Sequence, residues 1–416
     1  MNMSTVSIFL IIIVSIGFLS IIAEDLIKVN KAKSTLFWGT LAWIVHFISS
    51  SMSGHSEIAS EALNENLLDI ATLWLFLFSA MTFVAYLSEK GVIEIIASYL
   101  LPKQLSERGL LFFIGAFSFI FSSLADNITA TLVCLTILLG LNIERDKLVK
   151  YAIVVVYGVN AGGVSLITGD VTTLMIFLAD KVDISDLLML VLPAFASVFI
   201  LCLLMSYGMN GTIEVKAKKQ TLAPVDSFIA LLFFLTIIGV IFGNVFFAIP
   251  PVLSFLFGLS VMFMAARALN RDDPILDYVR KIEFDTLLFF LGVLLLVGML
   301  KEVGVLELFL DVYKQSPTLI ANYTVGITSA LFDNVPLTSA ILKSGIDMAQ
   351  NEWLALTFSV GVGGALLAIG SAAGVVAMSK VPELTFMRYL KYFPQLFIAY
   401  SAGYCLVVVF VQFIRG

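Results

Sequence analysis

The chain has 416 residues, of which 60% are hydrophobic and 13% charged, and its formal net charge is −6. Soluble domains average about 25% charged residues, so this composition excludes an ordinary soluble protein and indicates a polytopic membrane protein. Its 2 histidines are too few for a zinc site.

The first predicted half, residues 1–210, opens with scaffold spans within 1–101. Val6–Ile22 is the first apolar run, and the lysines that follow it indicate a cytoplasmic loop, which puts the N-terminus outside. The next polar stretch has no Lys or Arg and is expected to be an external loop. Its acidic residues also recur at a spacing that fits one face of a helix: Glu57, Glu61, Glu65 and Asp69.

A hairpin follows at 108–141, with Asp126 and Asn127 at its tip. Its two apolar arms are each short for a full span, and basic residues flank both ends, so we expect it to be re-entrant. A carboxylate in a membrane interior is costly, roughly 2.5–3.5 kcal/mol on insertion scales, so Asp126 is a candidate functional residue. A helix broken by glycines is predicted at 148–179 and a last span at 187–208.

A polar cytoplasmic linker at 211–225 separates this half from a related one at 226–416. Ser122–Thr131, with the only Asp-Asn dipeptide of the first half, returns as Ser329–Thr338 around Asp333 and Asn334. The pattern Gly-Gly-x5-Gly also occurs once in each half, so an internal duplication is indicated. The second half then has scaffold spans at 226–314, a hairpin at 317–346, a broken helix at 352–380 and a span at 392–414.

Each half crosses the membrane an odd number of times, so the second half is expected to be inverted and the C-terminus external. The predicted fold is therefore an all-α polytopic membrane protein with two inverted-topology repeats. Such repeats with paired broken helices are typical of secondary transporters, whose substrate site lies near the bilayer midplane. The predicted helix breaks are at Gly162, Gly163, Gly169, Gly363, Gly364 and Gly370.

The hairpin tips and breaks supply carboxylate, amide and hydroxyl oxygens, which are hard ligands suited to an alkali cation. The candidate ion- and proton-binding residues are Asp126, Asn127, Thr129, Thr168, Asp170, Thr173, Asp333, Asn334 and Ser371. Na⁺ is expected at Asp126, Asn127, Asp333 and Asn334. We expect the carboxylates, including Asp170, to converge. Asp is also a good N-cap, so each carboxylate could instead start a helix.

These motifs resemble those of the NhaD-type Na⁺/H⁺ antiporters of the ion transporter superfamily. The matching parts are Ala125–Ala130, Gly162–Thr173, Asp333–Leu337 and Gly363–Gly374. The resemblance implies a homodimer in a prokaryotic inner membrane, which exchanges cytoplasmic Na⁺ or Li⁺ for external protons by an elevator mechanism. It implies no cofactor and no nucleic-acid partner.

Two other functions remain open from the residues. An anion carrier for dicarboxylate or arsenite could use the same scaffold and the same glycine pattern, although acidic tips would repel such a substrate. An intramembrane aspartyl protease also uses two buried Asp residues, and Thr168–Asp170 approaches its Gly-x-Gly-Asp pattern. Inverted Asp-Asn hairpins have no part in that chemistry.

Overall fold

Helices make up most of the computed structural model, which describes residues 5–22, 24, 28–100, 104–141, 143–214, 222–269, 275–331 and 333–415. An apolar chain in a bilayer satisfies its backbone hydrogen bonds within each segment, which favours helices over other structure. The helices of the first predicted half are α1 (Thr5–Ile22), α2 (Lys31–Met52), α3 (Ser56–Glu89), α4 (Val92–Leu100), α5 (Glu107–Leu124), α6 (Asn127–Leu139), α7 (Arg145–Gly163), α8 (Val171–Leu178), α9 (Ile184–Leu187) and α10 (Val191–Met205).

The second predicted half repeats the pattern of long helices followed by two interrupted pairs. Its helices are α11 (Pro224–Phe247), α12 (Pro251–Leu269), α13 (Ile275–Arg280), α14 (Phe284–Glu302), α15 (Glu307–Gln315), α16 (Thr318–Ser329), α17 (Asn334–Lys343), α18 (Gln350–Gly363), α19 (Ala372–Lys380), α20 (Phe386–Leu390) and α21 (Phe393–Arg415). Short 3₁₀ turns join α9 to α10 and follow α18. Residues 215–221 of the predicted linker and residue 332 of the second predicted hairpin lie outside the described residues.

Two short strands form the one sheet of the described chain. β1 (Gln104–Ser106) and β2 (Thr212–Glu214) pair antiparallel, with Leu105 opposite Ile213. Part of the predicted linker is therefore ordered against the segment that leads into α5. The Glu107 N–H donates to the Gly211 carbonyl at 2.9 Å and extends this pairing.

Within the described residues, seven helical segments are long and apolar enough to cross a membrane. They are α3, α5, the α9–α10 segment, α11, α12, α14 and α21. The two arms of the first predicted hairpin differ, because α5 has 18 residues whereas α6 has 13. The prediction that both arms are too short for a span therefore holds only for α6.

The prediction of a loop in the acidic stretch before the third apolar run is wrong. Helix α3 is continuous over 34 residues and contains the four acidic residues in its first half. No Gly or Pro interrupts residues 56–89, so nothing in the sequence ends the helix there. The alternative prediction, one face of a helix, is the correct one.

The chain divides into two compact units that do not coincide with the predicted halves. Unit 1 comprises 1–78, 283–317 and 335–347, and unit 2 comprises 79–282, 318–334 and 348–416. In unit 1, α14 packs along α2, and both contact α1. In unit 2, α7 packs against α5, α6 and α10, and α18 packs against α16 and α21. Unit 2 contains every candidate ion-binding residue.

Candidate ion-binding site

The first Asp-Asn pair lies at the junction of α5 and α6. Helix α5 ends at Leu124, and Asp126 is the N-cap of α6 in extended backbone conformation. One oxygen of the Asp126 carboxylate accepts from the Ile128 N–H at 3.0 Å and the Thr129 N–H at 2.9 Å. The other accepts from the Thr129 hydroxyl at 2.7 Å. The half-buried Asp126 side chain therefore acts as a helix cap in this conformation.

Asp170 caps α8, the second part of the first broken helix, in a comparable way. Helix α7 ends at Gly163, and the chain passes through irregular turns before α8 begins at Val171. Oδ1 of Asp170 accepts from the backbone N–H and the hydroxyl of Thr172, both at 2.9 Å. The Asp170 residue is only 7% exposed. Only Oδ1 takes part in the cap, which leaves Oδ2 for other segments.

Oδ2 of Asp170 is the point where both Asp-Asn segments converge. It accepts from Nδ2 of Asn127 at 2.8 Å and from Nδ2 of Asn334 at 3.4 Å. Asn334 is 7% exposed, and the half-buried Asp333 directly precedes it. One carboxylate and two amides from segments far apart in sequence thus form the centre of the site.

The convergence of the three carboxylates remains a prediction, while the hydrogen bonds show which of them contacts both asparagines. Among the described residues, no group of three His, Cys, Asp or Glu residues is placed to hold a metal ion. The hydrogen bonds described above for Asp126 all stay within the first turn of α6. Asp170, which we expected only to complete the shell, is instead the residue that both amides contact.

The glycines of the first break allow the close approach of these groups. A Cβ on Gly163 would lie 2.8 Å from Oδ1 of Asn127 and 2.9 Å from Cβ of Asp170. A Cβ on Gly169 would lie 2.5 Å from the Ser122 carbonyl oxygen and 2.7 Å from Cα of Gly163. Any larger residue at these positions would push the segments that carry Asn127 and Asp170 apart.

The second interrupted helix has a hydroxyl where the first has a carboxylate. Helix α18 ends at Gly363, and Ser371 is the N-cap of α19. Its Oγ accepts from the Gly374 N–H at 3.3 Å and from Nδ2 of Asn160 at 3.2 Å. Asn160 lies in the last turns of α7, so this bond links the two breaks.

In each half, the first arm of the hairpin makes the same contact with the broken helix: α5 with α7, and α16 with α18. The Ser122 hydroxyl reaches the Val159 carbonyl at 2.7 Å, and the Ser329 hydroxyl donates to the Val360 carbonyl at 2.9 Å. Glycines pack on these arms in both places, since a Cβ on Gly162 would overlap the Phe119 carbonyl.

The corresponding glycine of the second half makes the same kind of contact. A Cβ on Gly363 would overlap the carbonyl of Gly326 in α16. A Cβ on Gly370 would lie 2.6 Å from the Ala330 carbonyl oxygen, as one on Gly169 would lie against Ser122. The sequence similarity between the halves therefore extends to side-chain and backbone contacts.

Two of the three predicted threonines, Thr168 and Thr173, fix the chain around the first break. The Thr168 hydroxyl donates to the Ser123 carbonyl at 2.7 Å, and the Thr173 hydroxyl donates to the Gly163 carbonyl at 3.2 Å. Both residues are buried. A hydroxyl oxygen that donates its proton keeps its lone pairs, so each remains able to coordinate a cation.

Asn160 and Ser165 belong to this region but were not predicted. Oδ1 of Asn160 and Oγ of Ser165 are buried without a hydrogen-bond partner in the described part of the chain. Buried oxygens are normally satisfied, so such atoms are available to a polar guest. Asn160 was recognisable as a lone amide in an apolar helix, two residues before Gly162.

Comparison with known proteins gives consistent matches over nearly the whole chain. Residues 4–374 match the model of the citrate transporter family. The Na⁺/H⁺ antiporter NhaD of Vibrio cholerae is 30% identical over 437 residues, covering 95% of this chain and 90% of that protein. For NhaD of Vibrio parahaemolyticus the identity is 31%, with coverages of 89% and 98%. The sodium/proton antiporter 1 of Arabidopsis thaliana is 29% identical, with coverages of 93% and 70%.

Proposed function

We propose that this chain, which belongs to the NhaD family of Na⁺/H⁺ antiporters, exchanges cytoplasmic Na⁺ or Li⁺ for external protons in a prokaryotic inner membrane. As a member of that family it is a transporter and not an enzyme, which excludes the aspartyl protease alternative. Its substrates are ions, and antiporters of this family need no cofactor.

The contact that carries the proposal is the one between Asp170 and the two asparagines. Among the described residues, amides and not Arg or Lys bind this buried carboxylate, so its negative charge stays available to a cation or a proton. The amide oxygen of each asparagine can join the coordination if the side chain turns. Oxygen ligands of this kind suit Na⁺ and Li⁺.

Competition between the two substrates at one carboxylate provides the exchange. A proton and a Na⁺ ion cannot occupy the same oxygen, so release of one favours uptake of the other. We keep Asp126 and Asp333 as ion ligands that act with Asp170, and Thr129 and Ser371 as hydroxyl ligands. The unpartnered oxygens of Asn160 and Ser165 extend the set of available ligands.

The architecture of two inverted repeats and the elevator mechanism belong to the same proposal. The contacts that recur between the two halves support the duplication. The homodimer, the cytoplasmic linker and the external placement of both termini are proposed from the family resemblance and from the loop charges.

An anion carrier is the alternative that the match to the citrate transporter family keeps relevant. The site argues against it, since a carboxylate stands where an anionic substrate would bind and repels it. Citrate and succinate therefore serve as the discriminating substrates in the functional assay.

The test is proton movement in liposomes that contain the purified protein and a pH-sensitive dye. Addition of Na⁺ or Li⁺ is expected to drive proton movement, whereas citrate and succinate are expected to drive none. Competition predicts that, below the pKa of the binding carboxylate, the apparent KM for Na⁺ rises about tenfold for each unit by which the pH is lowered. A KM that stays constant when the pH is lowered by two units in that range would refute competitive binding.

Substitutions assign the carboxylates. Asp170→Asn, Asp126→Asn and Asp333→Asn are each expected to abolish Na⁺-driven proton movement in protein that still folds. Asp311→Asn, on the exposed surface of α15, is the matched control and is expected to retain activity. Wild-type exchange in Asp170→Asn would remove the central residue of the proposal.

A further inference from the structure

A cavity of about 410 Å³ lies in unit 2, away from the ion-binding site. It is formed by the first turns of α7, the end of α10 with the residues after it, and the start of α21. Its walls include Lys150, Leu204, Tyr207, Tyr392, Gln395 and Ile398. The ion-exchange function proposed above makes no use of this cavity.

Lys150 is the one charged residue among those that line the cavity. Its ammonium donates to the Tyr207 carbonyl at 2.7 Å and to the Met205 carbonyl at 3.3 Å. An ammonium has three protons, so one donor remains for another group. Within the described residues, no carboxylate lies within 4.0 Å of its Nζ.

Three neighbouring cations differ from Lys150 because each is paired with a carboxylate. Arg145 pairs with Glu383 at 3.4 Å, and Arg388 pairs with Asp146 at 3.3 Å. Lys147, one turn before Lys150, pairs with Glu107 at 2.8 Å and with Glu144 at 2.9 Å. A half-buried cation that lacks such a partner favours an anion from outside the chain.

A second polar group in the cavity wall needs a donor. Oε1 of Gln395 is buried and has no hydrogen-bond partner in the described part of the chain. The cavity thus offers a positive donor at Lys150 and, when the Gln395 side chain turns toward it, an acceptor that lacks a donor. The matching ligand carries an anionic group and a hydroxyl or other donor close to it.

The remaining walls indicate that this ligand is a lipid. Leu204 and Ile398 line the cavity, and the helices that carry them are both among the candidate spans. Along α10, Phe199 and Leu203 are exposed apolar residues, and along α21, Leu406 is also exposed. Acyl chains would continue from the cavity along this surface. Tyr207 and Tyr392 are of the type found at the level of lipid headgroups.

We propose that this cavity binds the headgroup of one anionic phospholipid, with its phosphate on Lys150 and a glycerol hydroxyl donating to Gln395. Phosphatidylglycerol has both features. Phosphatidylcholine has the phosphate but no headgroup donor and no net charge. Basic pockets between membrane helices are known to select anionic headgroups on the same grounds.

The experiment measures lipid retention and lipid-dependent stability of the full-length protein in detergent. Native mass spectrometry is expected to show one phosphatidylglycerol retained per chain, in preference to phosphatidylcholine. Added phosphatidylglycerol is expected to raise the thermal midpoint by several degrees more than phosphatidylcholine does. Inorganic phosphate or glycerol phosphate is expected to have no such effect, because neither occupies the apolar walls.

Two substitutions separate lipid binding from a structural role. Lys150 also caps α10, so Lys150→Met is expected to lower the midpoint without lipid and to weaken phosphatidylglycerol retention about tenfold or more. Gln395→Leu removes an acceptor that lacks a donor, so it is expected to leave the lipid-free midpoint unchanged and to reduce only the preference for phosphatidylglycerol. Lys314→Met, on α15, is the control for loss of a lysine.

Equal stabilisation of the wild-type protein by both lipids would overturn the proposal. A preference that persists unchanged in Gln395→Leu would overturn the role of the glycerol hydroxyl. If Lys150→Met does not fold, the comparison of the wild-type protein with Gln395→Leu still decides the question. Stabilisation by inorganic phosphate alone would show a soluble-anion site and also refute it.

Discussion

Replacement of Gly169 by alanine tests how closely the ion-binding site is packed. The new Cβ would lie 2.5 Å from the Ser122 carbonyl oxygen and 2.7 Å from Cα of Gly163. Both neighbours are backbone atoms, so neither can rotate away. Even the shortest contact that a real Cβ makes, 3.0 Å, requires the segments to separate by about 0.5 Å.

That separation is comparable to the tolerance of the contacts at Asp170, the next residue. The bond from Asn127 would lengthen from 2.8 Å to about 3.3 Å if the full shift reached it. The contact from Asn334 is already 3.4 Å and would be lost. Overpacking in a close-packed interior typically costs about 1–3 kcal/mol, and a lost hydrogen bond about 1 kcal/mol more. We therefore expect a total destabilisation of about 2–4 kcal/mol.

The assay combines thermal unfolding in detergent with Na⁺-driven proton movement in liposomes. Gly169→Ala is expected to lower the unfolding midpoint by several degrees and to reduce exchange at least tenfold, with a raised KM for Na⁺. Gly239→Ala in α11 is the matched control, because the Cβ it would add meets no atom of the described residues within 4 Å beyond its chain neighbours and its own helix backbone. That control is expected to keep exchange and to gain up to about 1 kcal/mol from helix propensity. Wild-type KM and midpoint in Gly169→Ala would refute the reasoning.

Two further pairs of substitutions test contacts outside the site. Lys343→Met removes the ammonium that donates a hydrogen bond to Oδ1 of the buried Asn66 in α3. Leaving this amide oxygen unpaired is expected to lower the free energy of unfolding by about 1–3 kcal/mol. Lys301→Met breaks only an exposed pair and is expected to change the midpoint little; equal losses would contradict the assignment. Glu107→Gln removes the buried carboxylate that pairs with Lys147, and calorimetry is expected to show a larger loss of stability than for Glu144→Gln, whose carboxylate is 65% exposed. The reverse order would show that burial does not decide the strength of this pair.

The helix interruptions could be predicted from sequence because their causes are local. Asp126 starts a helix by capping it, and Gly163 and Gly169 remove side chains where backbones meet. The same local reasoning fails for α3, because its acidic residues predict a loop where the structure has a helix. The absence of Gly and Pro from residues 56–89 was the better indicator.

The division of roles between the carboxylates could not be predicted from sequence. Asp126 and Asp170 both precede a helix, and both accept hydrogen bonds from its first turn. They differ in what the second oxygen contacts, which depends on segments far away in the chain. For Asp126 it is Thr129 of the same turn, and for Asp170 it is two asparagines from other helices. Only the packed structure shows that one oxygen of Asp170 also accepts hydrogen bonds from distant segments, whereas the hydrogen bonds described for Asp126 stay within its own helix turn.

A single oxygen atom shared by Asn127 and Asn334 has a consequence for how occupancy is sensed. Under the proposed exchange, an ion that takes this oxygen withdraws it from both amides in one event. The segments that carry Asn127 and Asn334 then lose their hydrogen bonds to Asp170 at the same time. Under the proposed exchange, this simultaneous loss limits ion leak, because neither segment is released while the other is still held.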